Sequence, residues 1–562
     1  MSRMSRRKFV QITTAGAVVG GVFGPTSLWA QSAAGASPGT SPAAGASASN
    51  ASAKAAATTL TPRRGGTLTA TIGFPEPHAI FVPAGGGGSP AFTAARVFEQ
   101  LVRIESDLTA SPKLALSWRA APDFLSYVIA LRPNVLWHDG KPFTAADVAF
   151  SIGQYWKQIA AGGAFTALKS ATATGPLEVT VLFEKPIPEF TFLYALGTQH
   201  IIPAHIYENG DLNTNPANNA PIGTGPYVFK RWVRGSRAEF ARNDAYWKKG
   251  EPYPDDLIVR WWREPASRAA ALEAGDLDIG VQNPVPFADI ARLRDSGKFT
   301  VTEKGYEISD WESGLIFNVK NPITQHRAVR QAILFALDRQ YIADVIYQGF
   351  ATPAKSVIGS NNTLYYNEDV PQYPFDKARA QKLLDEAGYP RKGDAPRFSL
   401  RLLAAGWVDE NGKVGAYVKQ ALEDIGVAVE LRVPDRAGSL KGIYTDYDFD
   451  LALSNVGSTA EPVPNVTQLY TTGGISKGLA FRNASRYATP ELDALVERIT
   501  FEVNPKARKA LVDEFARTVL TEVPQFRLVE IKKLTVARNV VQNHSTGGNF
   551  QGDGWSDVWL SV

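Results

Sequence analysis

Phe398 to Leu403 and Val427 to Val433 are β-patterned runs that flank a helical run from Gly415 to Asp424, and this order constrains the chain more than any other feature. Two strands joined through a helix run parallel, and a parallel pair is stable only inside a sheet covered on its faces. The rest of the chain repeats that grammar. Gly66 to Ile72 alternates apolar and polar residues up to Gly73 and predicts a first strand. Further strands are predicted at Tyr127–Leu131, Leu177–Phe183, around Gly225–Phe229, at Leu277–Val281 and at Leu315–Asn318. Helices are predicted from Thr144, which has Asp147 three residues on, to about Gln158, and from Arg268 to Ala274 with Gly275 as a C-cap. Others run from about His326 to Val345, Asp376 to Glu386, Pro490 to Ile499 and Lys506 to Val523. Strands alternating with helices over some 500 residues predict an α/β protein with at least two sheets.

Composition narrows the chemistry. A chain of 562 residues without a single cysteine has no disulfide scaffold, cysteine zinc site, iron–sulfur cluster or thiol nucleophile. Six histidines remain, and His200 and His205, five apart beside Pro203, read as structural rather than metal-binding, so no metal and no cofactor is expected. The formal charge of +4 comes from Arg3, Arg6, Arg7 and Lys8; the remaining 55 basic residues balance 55 acidic ones. Such a balance gives no global electrostatic reason to bind nucleic acid or anionic membrane.

The first 30 residues read as an export signal. Arg6-Arg7-Lys8-Phe9 precedes a weakly apolar, Gly-rich stretch too short to remain as a membrane span, and the paired arginines resemble a twin-arginine signal. No cysteine follows, so no lipid anchor is expected. In residues 31–61, Ala, Ser, Thr, Gly and Pro fill 27 of 31 positions, a composition that predicts a disordered tether.

From Gly65 onward a set of motifs accumulates in order. Pro112-Lys113-Leu114-Ala115-Leu116-Ser117-Trp118 precedes Leu131-Arg132-Pro133-Asn134-Val135-Leu136-Trp137-His138-Asp139-Gly140-Lys141-Pro142-Phe143-Thr144-Ala145-Ala146-Asp147-Val148. Gly223-Thr224-Gly225-Pro226-Tyr227, Asn243-Asp244-Ala245-Tyr246-Trp247 and Ala271 to Asp278 follow, then Arg327 to Ile333 with Ala336-Leu337-Asp338-Arg339, and Leu383 to Tyr389. Together they resemble the family 5 extracellular solute-binding proteins of ABC transporters, the dipeptide, oligopeptide and nickel receptor group, from about Gly65 to about Trp559. Singly, the motifs read as scaffold: His138-Asp139-Gly140 as a turn, Gly223 to Pro226 as a tight approach to a strand, and Arg330 and Asp338-Arg339 as structural pairs.

The resemblance implies a fold and a role. The fold is α/β, the two-lobe periplasmic binding protein fold (type II, cluster C) with an extra subdomain inserted in the first lobe. Residues 62–95 with 220–310 and 529–562 would form lobe I, 96–219 the subdomain and 311–528 lobe II. The implied role is a non-enzymatic, monomeric periplasmic receptor that encloses a small polar solute (peptide, sugar, opine-like compound or chelate) and delivers it to permease subunits driven by a cytoplasmic ATPase. Closure requires anchors from both lobes.

Glu76, in the Phe74-Pro75-Glu76-Pro77 loop, is the candidate from the first lobe. In the second lobe the segment Ser454 to Pro462 leaves a strand end, which makes Asn455, Ser458 and Glu461 candidates. Peptide-binding relatives carry an Asp where Ser458 stands, and that Asp holds the peptide's ammonium group; a neutral hydroxyl does not supply this contact. Trp407 at a strand end, Trp311 and Tyr487 are candidates for stacking, and Asn318 and Asn483 for paired donation and acceptance.

Two rival chemistries are also written in the sequence. Gly474-Ile475-Ser476-Lys477-Gly478 matches the nucleophile elbow of a secreted α/β hydrolase, with Asp493 and His544 in the required order. Asp446, Asp448 and Asp450 stand at the spacing of one strand face, as a pair of glycosidase carboxylates would.

Overall fold

The computed structural model describes residues 61–83, 88–157, 163–463, 465–549 and 552–561. The expected export signal at 1–30 and all but the last residue of the expected tether at 31–61 lie outside the described residues.

Two large sheets organise the chain. The first has seven strands in the order Phe299–Thr302, Thr535–Arg538, Ile279–Val281, Thr67–Ile72, Asp256–Arg260, Arg237–Arg242 and Tyr227–Val233. Thr67–Ile72 is central and parallel to both of its neighbours, Asp256–Arg260 and Ile279–Val281. Its Leu68, Ala70 and Ile72 are fully buried, as the alternation predicts. The second sheet has six strands, Ala351–Pro353, Gln525–Ile531, Glu312–Phe317, Leu451–Ser454, Phe398–Ala404 and Val427–Arg432. Glu312–Phe317 is buried at every position, which suits a strand flanked on both edges and packed on both faces. A third, antiparallel sheet of four strands holds Ala115–Ala120, Ser126–Leu131, Glu178–Phe183 and Leu168–Gly175.

The strand–helix–strand unit is present, with Phe398–Ala404 parallel to Val427–Arg432. Its helix is longer than the pattern predicts, Asp409–Asp424, because Gly412 and Gly415 sit inside it. Gly415 faces Leu431 and Ala404, where a side chain would collide with the sheet. Thr144 and Asp147 form the expected capping box. The helix predicted from His326 to Val345 is broken: Arg327–Phe335 ends, and Asp338 caps a new turn by accepting from Gln340 N and Tyr341 N at 3.0 and 3.1 Å.

The chain passes between the two large sheets by two connections, residues 303–311 and residues 532–534. The second lies later than the expected return at 529, because Gln525–Ile531 pairs with Glu312–Phe317 and belongs to the six-stranded sheet. The connections are tied together: Lys533 Nζ donates to Ser309 Oγ at 2.8 Å, and Lys532 pairs with Glu303 at 3.0 Å.

Candidate solute-binding site

Six strands point their C-terminal ends at one cavity of about 750 Å³. In the seven-stranded sheet, Thr67–Ile72 delivers Gly73 to Glu76, Asp256–Arg260 delivers Trp261 to Glu264, and Ile279–Val281 delivers Gln282 and Asn283. In the six-stranded sheet, Phe398–Ala404 delivers Trp407, Leu451–Ser454 delivers Asn455, and Gln525–Ile531 leads to Lys533. Strand ends leave loop backbone free to face a ligand, so this is where an open α/β sheet accepts one.

Two glycines let the wall form. A Cβ at Gly73 would run into the carbonyl of Gln282, and one at Gly406 into the carbonyl of Pro434. Only glycine allows those backbones so close, and each close approach sits beside a cavity residue, Phe74 or Trp407.

The wall is rich in aromatic rings. Phe74 meets Trp311 edge to face at 5.8 Å, joining a loop of the first sheet to the start of Glu312–Phe317 in the second. Trp407 is oriented by its indole N–H, which donates to Asn455 Oδ1 at 3.2 Å, and by the ring of Phe481 at 5.8 Å. Asn455 also accepts from Asn411 Nδ2 at 2.7 Å and donates to the Glu312 carbonyl at 3.1 Å, so its amide positions Trp407. Tyr347 also lines the cavity, and burial raises the pKa of its phenol.

Charge is present on both sides. The Glu76 carboxylate accepts from Trp232 Nε1 at 2.7 Å and from Gly235 N at 2.9 Å, which fixes its loop. Asp409 and Glu410, in the first turn of Asp409–Asp424, line the cavity together with Glu264 and Arg263. Arg268 is buried and donates to the carbonyls of Trp262, at 3.0 Å, and Pro284; burial lowers its pKa to about 10. Burial likewise brings the Lys533 ammonium down to about 8.

Of the nine residues singled out by sequence, the structure brings Glu76, Trp311, Trp407 and Asn455 to this cavity. The other five lie elsewhere. Ser458 is buried and donates through Oγ to Asp310 Oδ2 at 2.7 Å. Glu461 is buried and held by Arg508 at 2.7 and 3.0 Å, so its carboxylate is turned away from the cavity. Asn318 donates to the Phe449 carbonyl at 2.9 Å, and Asn483 to the carbonyls of Thr471 and Tyr487 at 3.1 and 2.7 Å. Tyr487 is half-buried against the core of the six-stranded sheet. Trp261, Trp262, Glu264 and Lys533 were not found by sequence reading. Asp-Leu-Ile-Val-Arg at 256–260 is a short apolar run whose recognition as a strand would have placed the two tryptophans at its end.

The motif residues keep their scaffold roles. Asp139 accepts from Lys141 N at 3.2 Å, Gly140 has φ 84°, and His138 Nε2 bonds the Gly225 carbonyl at 2.9 Å. The hydrolase elbow is not built: Thr472–Gly474 is a single 3₁₀ turn with no strand before it. Ser476 Oγ reaches only the Gly473 carbonyl, Asp493 accepts from Thr472 N, and His544 bonds Ser545 Oγ. Asp446 and Asp448 pair with Lys441, Arg401 and Arg432 at the surface, and the buried Asp450 pairs with Arg401, so all three carboxylates are held in ion pairs.

The match to known proteins decides the family. The model for bacterial extracellular solute-binding proteins, family 5 Middle, fits residues 109–478. The chain belongs to that family. Protein XP55 of Streptomyces lividans is 27% identical over 78% of this chain and 80% of its own length. The oligopeptide-binding protein AppA of Bacillus subtilis is 26% identical over 71% of this chain and 74% of its own. The structure of AppA in complex with a nonapeptide superposes with TM-score 0.77 at 23% identity, covering 89% of this chain and 100% of AppA. That of the ABC transporter-associated periplasmic binding protein DppA of Helicobacter pylori, in complex with the peptide STSA, gives 0.74 at 22% identity over 89% and 99%. The family 5 receptor described here therefore has the two-lobe α/β fold of the periplasmic binding proteins.

Proposed function

We propose that this chain is the periplasmic receptor of an ABC importer and that the 750 Å³ cavity is where it holds its solute. The observation that carries the reading is the convergence of six strand ends from two sheets on one cavity, with both connections between the sheets passing beside it. A solute that touches both walls binds the closed arrangement better than an open one, and that difference drives closure. The structures of AppA and DppA, each in complex with a peptide, support a polar solute of peptide character. The chain acts without catalysis, as a monomer. Its paired arginines direct export through the twin-arginine route.

Native mass spectrometry of the receptor purified from its host tests the binding role, with small-angle scattering before and after removal of whatever co-purifies. A bound small molecule whose loss expands the particle is expected. A particle of unchanged dimensions with every compound of a broad metabolite panel, or turnover of any of them, overturns it.

A further inference from the structure

Lys533 stands where the chain passes for the second time between the sheets, and it lines the cavity. It is 8% exposed. Its ammonium donates to Ser309 Oγ at 2.8 Å, and no ion pair within 4 Å joins it to a carboxylate among the described residues. Asp310 is the acidic group whose field reaches it, and that carboxylate is already engaged. Arg527 pairs with Asp310, and Ser458 donates to it through both Oγ and its backbone N–H. Arg527 has Glu312 as a second anionic partner. Lys532, one residue away, has Glu303. Arg268, the other buried cation of the wall, directs its donors at two carbonyls. Lys533 is thus a buried charge in the cavity lining, with a single hydroxyl partner among the described residues.

An ammonium in that position is costly until an anion meets it. We propose that Lys533 is the anchor for a carboxylate of the solute, so that a free carboxylate is what this receptor selects for. The inference rests on the cavity being the solute site. Other acids of the same lining, Glu264, Asp409 and Glu410, repel a second anionic group and accept a neutral or cationic end. Trp311 and Trp407 line the same space. The recognised class is a monocarboxylate or zwitterion. Because Lys533 also holds Ser309 of the other connection, its anchor point lies in the hinge itself, and the solute's charge is read where the two lobes pivot.

The test uses two dipeptide pools matched in sequence, one with free C-terminal carboxylates and one with C-terminal amides, and a third pool of sugar phosphates. Binding is read by tryptophan fluorescence and particle size for the wild type, Lys533→Met and Lys533→Arg. The acids are expected to bind the wild type at least tenfold more tightly than the amides; Lys533→Met loses that preference and Lys533→Arg recovers part of it. Should Lys533→Met not fold, competitive acetylation of the wild type reads the lysine directly, and bound acids are expected to raise the pH at which Lys533 reacts. Equal binding of acids and amides, an unchanged preference in folded Lys533→Met, an unmoved lysine titration or a preference for the phosphates each overturns the assignment while leaving the cavity as the site. Absence of any contraction with all three pools overturns the solute-site reading, and the assignment with it.

Discussion

Thr191 Oγ1 donates to Glu461 Oε2 at 2.8 Å, linking the helix Glu189–Thr198 that follows the four-stranded sheet to the loop beyond Leu451–Ser454 of the six-stranded sheet. Both residues are buried. It is a bond between units that separate if the lobes part. Thr191→Val keeps the shape and removes the donor, while Glu461 keeps Arg508. The closed arrangement should lose about 1 kcal/mol, roughly fivefold in its population ratio to the open one. Small-angle scattering at subsaturating solute should show a larger mean particle for the variant; identical curves would remove the latch role.

Arg508 is the cation behind that bond. Its guanidinium spans both oxygens of Glu461 and also meets the Tyr365 hydroxyl, and both charged side chains are 2% exposed. Removing one partner of a buried pair leaves the other unpaired, so Arg508→Met should cost about 3–5 kcal/mol in urea unfolding. The double change with Glu461→Leu should recover much of that loss. A single variant as stable as the wild type would contradict this account.

Trp407 is held by Asn455 and Phe481 before any solute arrives. Trp407→Ala should weaken solute binding by about tenfold or more, and Trp407→Phe by less, because the stacking face survives. Titration of the co-purified solute by calorimetry checks it, and equal affinities for wild type and Trp407→Ala would exclude a stacking role.

Lys533 makes stability depend on pH with a definite sign. Its pKa falls from 10.5 in the unfolded chain to about 8 on burial, so between those values the folded chain holds fewer protons than the unfolded one. Stability contributed by this group therefore rises as the pH climbs from about 8 toward 10.5, and its full cost is present below 8. The unliganded Lys533→Met variant should be more stable than wild type at pH 7, by on the order of 2 kcal/mol, with a smaller gap at pH 10. A gap that widens with pH would refute the assignment.

What the sequence disclosed follows from how far apart the interacting residues lie. The strand–helix–strand unit, the Thr144–Asp147 box and the placement of Trp407 at a strand end each lie within a stretch no longer than that unit, Phe398 to Arg432. Periodicity and turn residues report such local order. The partners of Ser458 and Glu461 do not: Asp310 is 148 residues from Ser458, and Thr191 is 270 from Glu461. Both side chains are satisfied by groups that no spacing rule brings near them. Lys533 illustrates the same limit, since nothing in Lys532-Lys533 tells which lysine faces solvent and which the interior. The packing of the two connections against each other decides it.

The link from Lys532 to Leu534 is only three residues long, and it is cross-tied to its companion at Ser309 and Glu303. So short a bridge cannot stretch or slide, and rotation is the movement it leaves open. Turning about such an axle displaces nearby atoms hardly at all and distant rims a great deal. Spectroscopic labels near Lys533 would stay almost silent during capture, whereas labels set far from it on each lobe would register the whole swing.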